Sequence, residues 1–259
     1  AHCANDILVQ GARPLFFLDY LAMGTHDPDV ASAVIEGVAT GCRACGCALL
    51  GGEMAEMPDF YTEGEYDLAG TIVGIVDRNQ ILTGSRVQPG DCLIGLASDG
   101  LHTNGYSLAR KLCFETAGWS PDTHVDELDS TIGEALLAPH RNYVSPVMDL
   151  IQQVPIHGMV HITGGGLNDN LPRTLPKGAG ANISRGSWPE LPIFGLLQQI
   201  GDEIDAAEMF QVFNMGIGFV IIVPSDHSEE ALEKLCDSGE KAYIIGDVVE
   251  DTNHAVHIT

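Results

Sequence analysis

Two glycine-bearing segments each place a histidine among small polar residues, a composition suited to holding an anion. The first is SDGLHTNGYS (Ser98–Ser107), with His102 and Asn104 between two glycines, and the second is HITGGGLNDN, which begins at His161. Each follows an apolar stretch and precedes a helix-like one, and backbone N–H groups at the start of a helix bind anions. We expect His102 and Asn104 to add side-chain donors. The alternative for the first segment is an ordinary turn with a helix cap at Asn104 or Ser107.

The second segment differs from a Walker A phosphate loop, because no Gly-Lys-Ser/Thr follows its glycines. A third glycine-rich turn, FNMGIG (Phe213–Gly218), contributes Asn214 as its polar residue. One such loop is weak evidence for a phosphate site. Two of them with a histidine each, in one acidic chain, favour that interpretation together.

Carboxylates follow an apolar segment that we expect to be a buried strand ending in a glycine pair. GGEMAEMP (Gly51–Pro58) places Glu53 and Glu56 there. Carboxylates at strand ends are suitable Mg²⁺ ligands because this ion prefers hard oxygen donors, and a solvated loop is the alternative. Asp6 precedes another apolar segment and is either a helix N-cap or a metal ligand, so by itself it decides nothing.

Three cysteines lie in GCRACGC (Gly41–Cys47). This stretch lacks a second CxxC and a histidine at zinc-finger spacing, so we expect small buried residues here rather than a metal or redox site. The chain has seven cysteines in all. An odd, scattered set fits reduced thiols, so we expect a cytoplasmic protein.

The composition restricts the partners. The chain has 259 residues, 45% of them hydrophobic, which is enough for one large or two medium domains. Lys and Arg total 12 against 36 Asp and Glu, a formal net charge of −24. Such a surface repels nucleic acid and anionic lipid, so we expect neither as a partner and expect local donors to meet any anionic substrate. The sequence has no apolar run long enough to predict a transmembrane helix.

Helices and strands must position these motifs. The spacing of Val30, Val34 and Val38 predicts a helix of about five turns, capped by Asp27 or Asp29. The further expected strands are Tyr66–Leu82, CLIGLAS, GMVHIT, Gly218–Pro224 and AYIIGDVV, and the further expected helices are Ser107–Ala117, Tyr143–Gln153 and Glu229–Ser238.

A turn motif, VQPGD, follows Thr83 and marks a change in character along the chain. We therefore place a boundary there, with one domain over residues 1–83 and another over residues 84–259. Strands and helices mix without strict alternation, which favours the α/β class in its mixed α+β form over a doubly wound sheet.

Seven segments, in order, resemble one family: ANDILVQGARPLFFLDY, GCALLGGEMAEMP, EYDLAG, SDGLHTNGYSLARK, LLAPHRNYV, HITGGGLNDNLPRTLP and FNMGIG. That family is aminoimidazole ribonucleotide synthetase, also called phosphoribosylformylglycinamidine cyclo-ligase, and the resemblance covers nearly the whole chain. It implies a two-domain ATP-binding synthetase fold. The N-terminal domain binds ATP and dimerises, and the resemblance implies that it is partial here because family members carry a further segment before the first motif. The C-terminal domain is α/β.

The resemblance also implies an activity and its residues. Family members close the imidazole ring of purines with Mg-ATP and are homodimers. The residues carried over are His102, Asn104, His161 and Thr163 as catalytic, Asp6 and Glu53 as ATP and Mg²⁺ positions, and Gly105, Ser107, Gly164, Gly165 and Asn214 as substrate-binding. TGGG (Thr163–Gly166) is then a turn that brings backbone donors close to an anion.

Two features leave alternatives open. Asp99 stands where the family usually has a small hydroxyl residue, and a carboxylate beside an anion site repels phosphate unless it points away or binds a cation. The partial N-terminal domain makes an inactive dimerising fragment one alternative. Another ATP-dependent activity of the same superfamily, like that of selenophosphate synthetase or thiamine monophosphate kinase, is the other.

Overall fold

The computed structural model describes residues 1–202 and 204–259 of the chain. The protein forms two compact units, one of Ala1–Ile81 with Asn142–Ser145 and one of Leu82–Arg141 with Pro146–Thr259. Both contain helices and strands, as the expected mixed α/β class requires. The sequence did not indicate that Asn142–Ser145 would group with the first unit.

The first unit is built on a three-stranded sheet with the order β2-β1-β3. β1 (Arg13–Met23) runs parallel to β2 (Ala48–Glu56) and antiparallel to β3 (Tyr66–Ile75). A short helix, α1 (His2–Leu8), precedes the sheet, and α2 (Pro28–Ala44) connects β1 to β2.

Helix α2 begins with the expected aspartate cap and ends at a glycine. The Asp27 side chain accepts hydrogen bonds from the backbone N–H groups of Asp29 and Val30, which otherwise have no partner in the first turn. At the other end, Gly46 takes a positive φ of 66°. The Cys47 N–H donates to the Cys42 carbonyl, so the helix closes in a Schellman motif.

The expectation that CALLGGE forms a buried strand is wrong. β2 runs through the glycine pair to Glu56, and most of its side chains are exposed. The reason is its place at the edge of the sheet, where, among the described strands, β1 alone pairs with it. Gly52 allows the strand to continue, because it lies close to the Asp19 backbone. A Cβ at this position would come within 2.1 Å of the Asp19 carbonyl oxygen. β3 also ends at Ile75 rather than Leu82, since a short 3₁₀ turn follows at Arg78–Gln80.

The second unit is built on a six-stranded sheet with the order β11-β8-β10-β4-β9-β7. Neighbouring strands pair antiparallel, except that β11 runs parallel to β8. The strands are β4 (Cys92–Ala97), β7 (Gly158–His161), β8 (Ala179–Ile183), β9 (Ile217–Val223), β10 (Ala242–Glu250) and β11 (Val256–Ile258). All side chains of β4 and β9 are buried, so these central strands form the middle of the core.

Short helices cover this sheet and carry the connecting loops. They are α3 (Tyr106–Arg110), which continues into a π-helical segment at Lys111–Thr116, α4 (Ile132–Leu136), α5 (Val144–Ile151), α6 (Gly166–Asn170), α7 (Pro192–Ile200), α8 (Ala206–Val212) and α9 (Ser228–Asp237). A small hairpin precedes α4. Its strands, β5 (His124–Val125) and β6 (Ser130–Thr131), have two residues each. The strands β8 and β11 and the helices α7 and α8 were not among the expected elements.

Candidate functional site

The loop from Ser98 to Gly105 leaves the end of β4 and enters α3. Gly105 has a φ of 82°, and an added Cβ would come within 2.3 Å of the Phe213 ring. Only glycine therefore fits there, which explains the close entry into α3. Ser107, in the first turn of α3, is exposed.

His102 is held inside this loop. Its side chain is 3% exposed, and its backbone adopts a positive φ of 58°, a region that non-glycine residues seldom occupy. The Nε2 atom accepts hydrogen bonds from the backbone N–H groups of Asp99, at 3.3 Å, and Arg141, at 3.4 Å. The ring is therefore fixed by the backbone on either side of it.

Asp99, whose role was open, is paired with a cation. Its Oδ1 lies 2.7 Å from Nη1 of Arg141, and Nε of Arg141 donates to Glu240 at 3.0 Å. Burial alone would lower the pKa of Arg141, but hydrogen bonds and charges from Glu240 and Asp99 outweigh it and raise that pKa. The Asp99 carboxylate is thus partly neutralised by Arg141.

The second expected loop follows β7. Thr163 donates through Oγ1 to Asn170, and the buried Asn170 amide donates in turn to the carbonyls of Thr163, Gly164 and Gly166. Asn170 therefore ties the whole TGGG turn to the end of α6.

Backbone conformation explains why this turn is made of glycine. Gly165 and Gly166 have φ values of 95° and 59°. A Cβ on Gly166 would approach the Phe210 carbonyl oxygen to 1.9 Å. The glycines are needed for a tight turn packed against α8.

The two loops meet at Asn104 and Gly164. An added Cβ on Gly164 would lie 3.3 Å from Oδ1 of Asn104, so the backbone of one loop touches the side chain of the other. The Nδ2 atom of Asn104 is buried and has no protein hydrogen-bond partner among the described residues. A buried amide donor of this kind is costly unless a ligand or water accepts its hydrogen bond, and it lies in the expected anion site.

Asn214 lies in the third glycine-rich turn and is 3% exposed. Its Oδ1 accepts from Oγ of Ser98 and from the N–H of Gly216, and its Nδ2 donates to the Gly100 carbonyl. Its side chain therefore fastens the loop after β4 to the turn before β9.

Two residues of the site were not singled out from the sequence, His140 and Arg141. His140 stacks on His102 with ring centroids 4.0 Å apart, and its Nε2 lies 3.1 Å from Nε2 of His161. His161 ends β7 and is 6% exposed. Both missed residues belong to LLAPHRNYV, but no local pattern there indicates chemistry, because tertiary folding brings them to His102 and His161.

The two predicted metal positions lie in the first unit. Asp6 is exposed on α1, and Glu53 is exposed in β2, where it pairs with Tyr20 of β1. Residues opposite each other in a sheet share a face, and Tyr20 alternates with Leu21, which packs against α2. Glu53 therefore points away from α2. Among the described residues, neither carboxylate belongs to a group of three possible metal ligands.

The cysteines of the first unit are buried or half-buried. Cys42 and Cys45 are buried, and burial, with the neighbouring Cys47, raises the pKa of Cys42 to about 11. In the described part of the chain, no cysteine belongs to a group of three possible metal ligands. The burial of Cys42 and Cys45 agrees with the expectation of small buried residues, and the absence of a metal or redox role for these thiols stays a prediction.

The chain matches the family described as AIR synthase related protein. The N-terminal domain of that family matches residues 1–76, and its C-terminal domain matches residues 88–259.

Curated relatives match over nearly the full chain. The phosphoribosylformylglycinamidine cyclo-ligase of Syntrophotalea carbinolica is 53% identical over 250 residues, which are 96% of this chain and 71% of the relative. The protein of the same name from Alkaliphilus metalliredigens is 49% identical over 256 residues, which are 99% of this chain and 74% of the relative.

Solved structures share the fold at low identity. Thiamine-monophosphate kinase from Stenotrophomonas maltophilia is similar with a TM-score of 0.71 and 20% identity, covering 98% of this chain and 75% of the kinase. The hydrogenase maturation protein HypE in complex with ATP gives a TM-score of 0.70 at 20% identity, covering 99% of this chain and 73% of HypE. In residues 1–202 and 204–259, no helix has the length and apolar character needed to span a membrane.

Proposed function

This chain belongs to the AIR synthase related protein family, and on that premise we propose that it is an ATP-dependent cyclo-ligase of purine biosynthesis. It converts formylglycinamidine ribonucleotide to aminoimidazole ribonucleotide. The observation that carries the proposal is the name shared by relatives about half identical over nearly the whole chain. The site supports it, because two glycine-rich loops of the second unit meet around a buried amide donor, Asn104.

The chemistry explains why such a site needs donors rather than a nucleophile. The formyl amide oxygen is a poor leaving group, so ATP first phosphorylates it, with ADP as product. An amidine nitrogen then attacks the same carbon, and the oxygen departs as phosphate. The protein contributes positioning and compensation of negative charge.

We assign the roles within the second unit by position. Asn104 Nδ2 is a buried donor on the loop that meets Gly164, His102 lies on the same loop, and His161 ends the strand that precedes the TGGG turn. Thr163 holds the TGGG turn through Asn170. We infer that Gly164 and Gly165 let the backbone approach a phosphate or the reacting centre closely.

Asn214 receives a positioning role rather than direct substrate contact. Its hydrogen bonds go to Ser98, Gly100 and Gly216, so it fixes the loop that carries His102 and Asn104. Gly105 and Ser107 lie at the start of α3, where Gly105 allows the turn and the exposed Ser107 hydroxyl is open to substrate.

ATP enters the proposal with the family, and Mg²⁺ accompanies it as the usual counterion of triphosphate. Asp6 and Glu53 have the oxygen donors that Mg²⁺ prefers. The described residues do not bring them into one group, so neither is assigned a step through the ion.

A homodimer is the proposed assembly, formed through the sheet of the first unit. Support comes from apolar side chains exposed on its strands, among them Leu50, Met54, Leu68, Val73 and Ile75. Exposed apolar surface on a sheet is a site for association with another chain. Sedimentation of the purified chain tests this, because a monomer at all concentrations would oppose it.

The reaction itself is tested with substrate labelled by oxygen-18 at the formyl oxygen. We expect product lighter than substrate by one water, and label in the released phosphate. ATP hydrolysis without ring closure, or turnover of thiamine monophosphate or selenide instead, would favour another superfamily activity. No ATP-dependent turnover at all would favour an inactive binding fragment.

A matched pair of histidine variants then tests the site. His161→Ala should lower turnover by about 10²-fold to 10⁴-fold, the usual contribution of a positioned proton-transfer or donor group. His124→Ala is the control, since His124 lies in the exposed β5–β6 hairpin. A large loss of folding stability with turnover intact would instead make His161 a core residue.

A further inference from the structure

Two imidazoles of the second unit face each other at the end of β7. The Nε2 atoms of His140 and His161 are 3.1 Å apart, and the rings meet edge to face with centroids 5.1 Å apart. Both side chains belong to the second unit. Neutral imidazole nitrogen is a common ligand of zinc, copper and nickel ions.

The surrounding contacts fix both rings. His140 stacks on His102, whose own Nε2 accepts from the backbone of Asp99 and Arg141. Arg141, the next residue, is held by Asp99 and Glu240. Side chains around a metal ligand orient its ring in this way in known sites.

His161 is fixed by the sheet. It is the last residue of β7, pairs with Phe219 of β9, and its ring lies 6.3 Å from the Phe219 ring. The pair is therefore preorganised from two different parts of the unit, a loop and a strand.

The separation matches the edge of a tetrahedral metal site. With Zn–N bonds of about 2.0–2.1 Å, two nitrogens on neighbouring corners lie about 3.3 Å apart. The observed 3.1 Å is within a few tenths of that value. We propose that His140 and His161 bind one transition-metal ion of the Zn²⁺ class, each through Nε2.

Metal binding replaces the hydrogen bond between the two imidazoles with two metal–nitrogen bonds, and no oxidation state changes. In the neutral pair, the proton between the two Nε2 atoms moves to Nδ1 of the ring that carries it, and each Nε2 then donates its lone pair to the ion. Mg²⁺ does not replace it, because Mg²⁺ prefers oxygen ligands.

Such an ion would also serve the proposed function, on which this part of the inference rests. The chain carries a net charge of −24, and Arg141 is already engaged by two carboxylates. A divalent ion beside the TGGG turn would supply positive charge to a phosphate or carbonyl oxygen. The second unit contributes two nitrogen ligands, which leaves coordination positions for such oxygens.

The test needs no substrate, so its outcome is independent of the proposed reaction. The full chain, freed of metal by a chelator, is titrated with Co²⁺ and followed by its visible absorption bands, and with Zn²⁺ by calorimetry. We expect one tight site in the unaltered chain. His140→Ala and His161→Ala should each weaken it by more than about 10-fold to 100-fold, since loss of an outer partner alone costs that much. The controls are His124→Ala, at an exposed residue, and His227→Ala, at a half-buried residue, and both should leave the affinity unchanged.

A second measurement keeps the test valid if a variant fails to fold. Nitrogen-15 NMR of the unaltered chain should show both Nε2 resonances shift to metal-bound values with one equivalent of Zn²⁺. The proposal is overturned if these resonances do not move, or if folded His140→Ala binds Zn²⁺ as tightly as the unaltered chain. The two rings then only share a hydrogen bond.

Discussion

The two sheets of the protein use similar strands in different ways. β3 of the first unit contains Ile72, Val73 and Ile75, yet most of its side chains are exposed. β9 of the second unit is richer still in Ile and Val, and every side chain is buried. The difference is position, since β3 is an edge strand and β9 lies between β4 and β7. The amino-acid composition of a segment favours a strand, whereas the elements packed around that strand determine how far its side chains are buried.

The largest expected difference in stability compares two isoleucines. Ile221 in β9 is 0% exposed, whereas Ile75 in β3 is 53% exposed. Ile221→Ala should lower the free energy of unfolding by about 2–5 kcal/mol, because it leaves a cavity in packed core. Ile75→Ala should change the free energy of unfolding of the monomer by less than about 0.5 kcal/mol, and by more only where the proposed dimer covers this residue.

Denaturant unfolding measures the first effect, with fluorescence from Trp188, which is buried in the second unit. Hydrogen exchange of the backbone amides of β1 and β3 measures the effect of Ile75→Ala on the stability of the first sheet. Equal losses in both variants would mean that Ile75 is covered in solution, as a dimer through this sheet would require.

Local sequence patterns predicted some of the helices and strands of both units. The Asp27 cap and the spacing of Val30 and Val34 predicted α2, and β4 and β9 were evident because a run of buried apolar residues is a strong local pattern. The same reasoning failed for β2, because an edge position depends on strand order and not on the strand itself.

In the candidate site, the sequence indicated the two loops but not what holds them. Asn170 and Asn214 act through hydrogen bonds to residues on other segments. His140 reaches His161 only through the folded path of the chain. Such long-range contacts leave no periodic pattern, so they could not be predicted from one sequence.

A smaller difference should separate two buried asparagines. Asn214 in the second unit fixes Ser98, Gly100 and Gly216 together, whereas Asn5 in the first unit accepts from the Tyr143 N–H. Asn214→Ala should lower the free energy of unfolding by about 1–3 kcal/mol through unsatisfied buried groups, and turnover should fall with it. Asn5→Ala should leave turnover largely unchanged in the same assay. Equal loss of turnover in both would remove the assigned positioning role from Asn214.

The smallest expected effects concern one helix cap in each unit. Asp27 caps α2, and Thr131 caps α4 in a reciprocal capping box with Glu134. Either substitution by alanine should cost about 0.5–2 kcal/mol, measured by denaturant unfolding. The capping box of α4 also predicts a response to pH, through Glu134.

Hydrogen bonds from the Thr131 backbone and side chain lower the pKa of Glu134. A lowered pKa stabilises the fold above the usual glutamate pKa, and that contribution is lost as pH falls through the lowered value. Thr131→Ala removes the hydroxyl donor but keeps the backbone one, so the pKa of Glu134 should move part of the way back up. Carbon-13 NMR titration of the carboxyl group measures it, with Asp27→Ala as the control that should leave Glu134 unchanged. An unchanged pKa in Thr131→Ala would mean that the Thr131 backbone N–H alone sets it, and that the hydroxyl contact to Glu134 does not contribute.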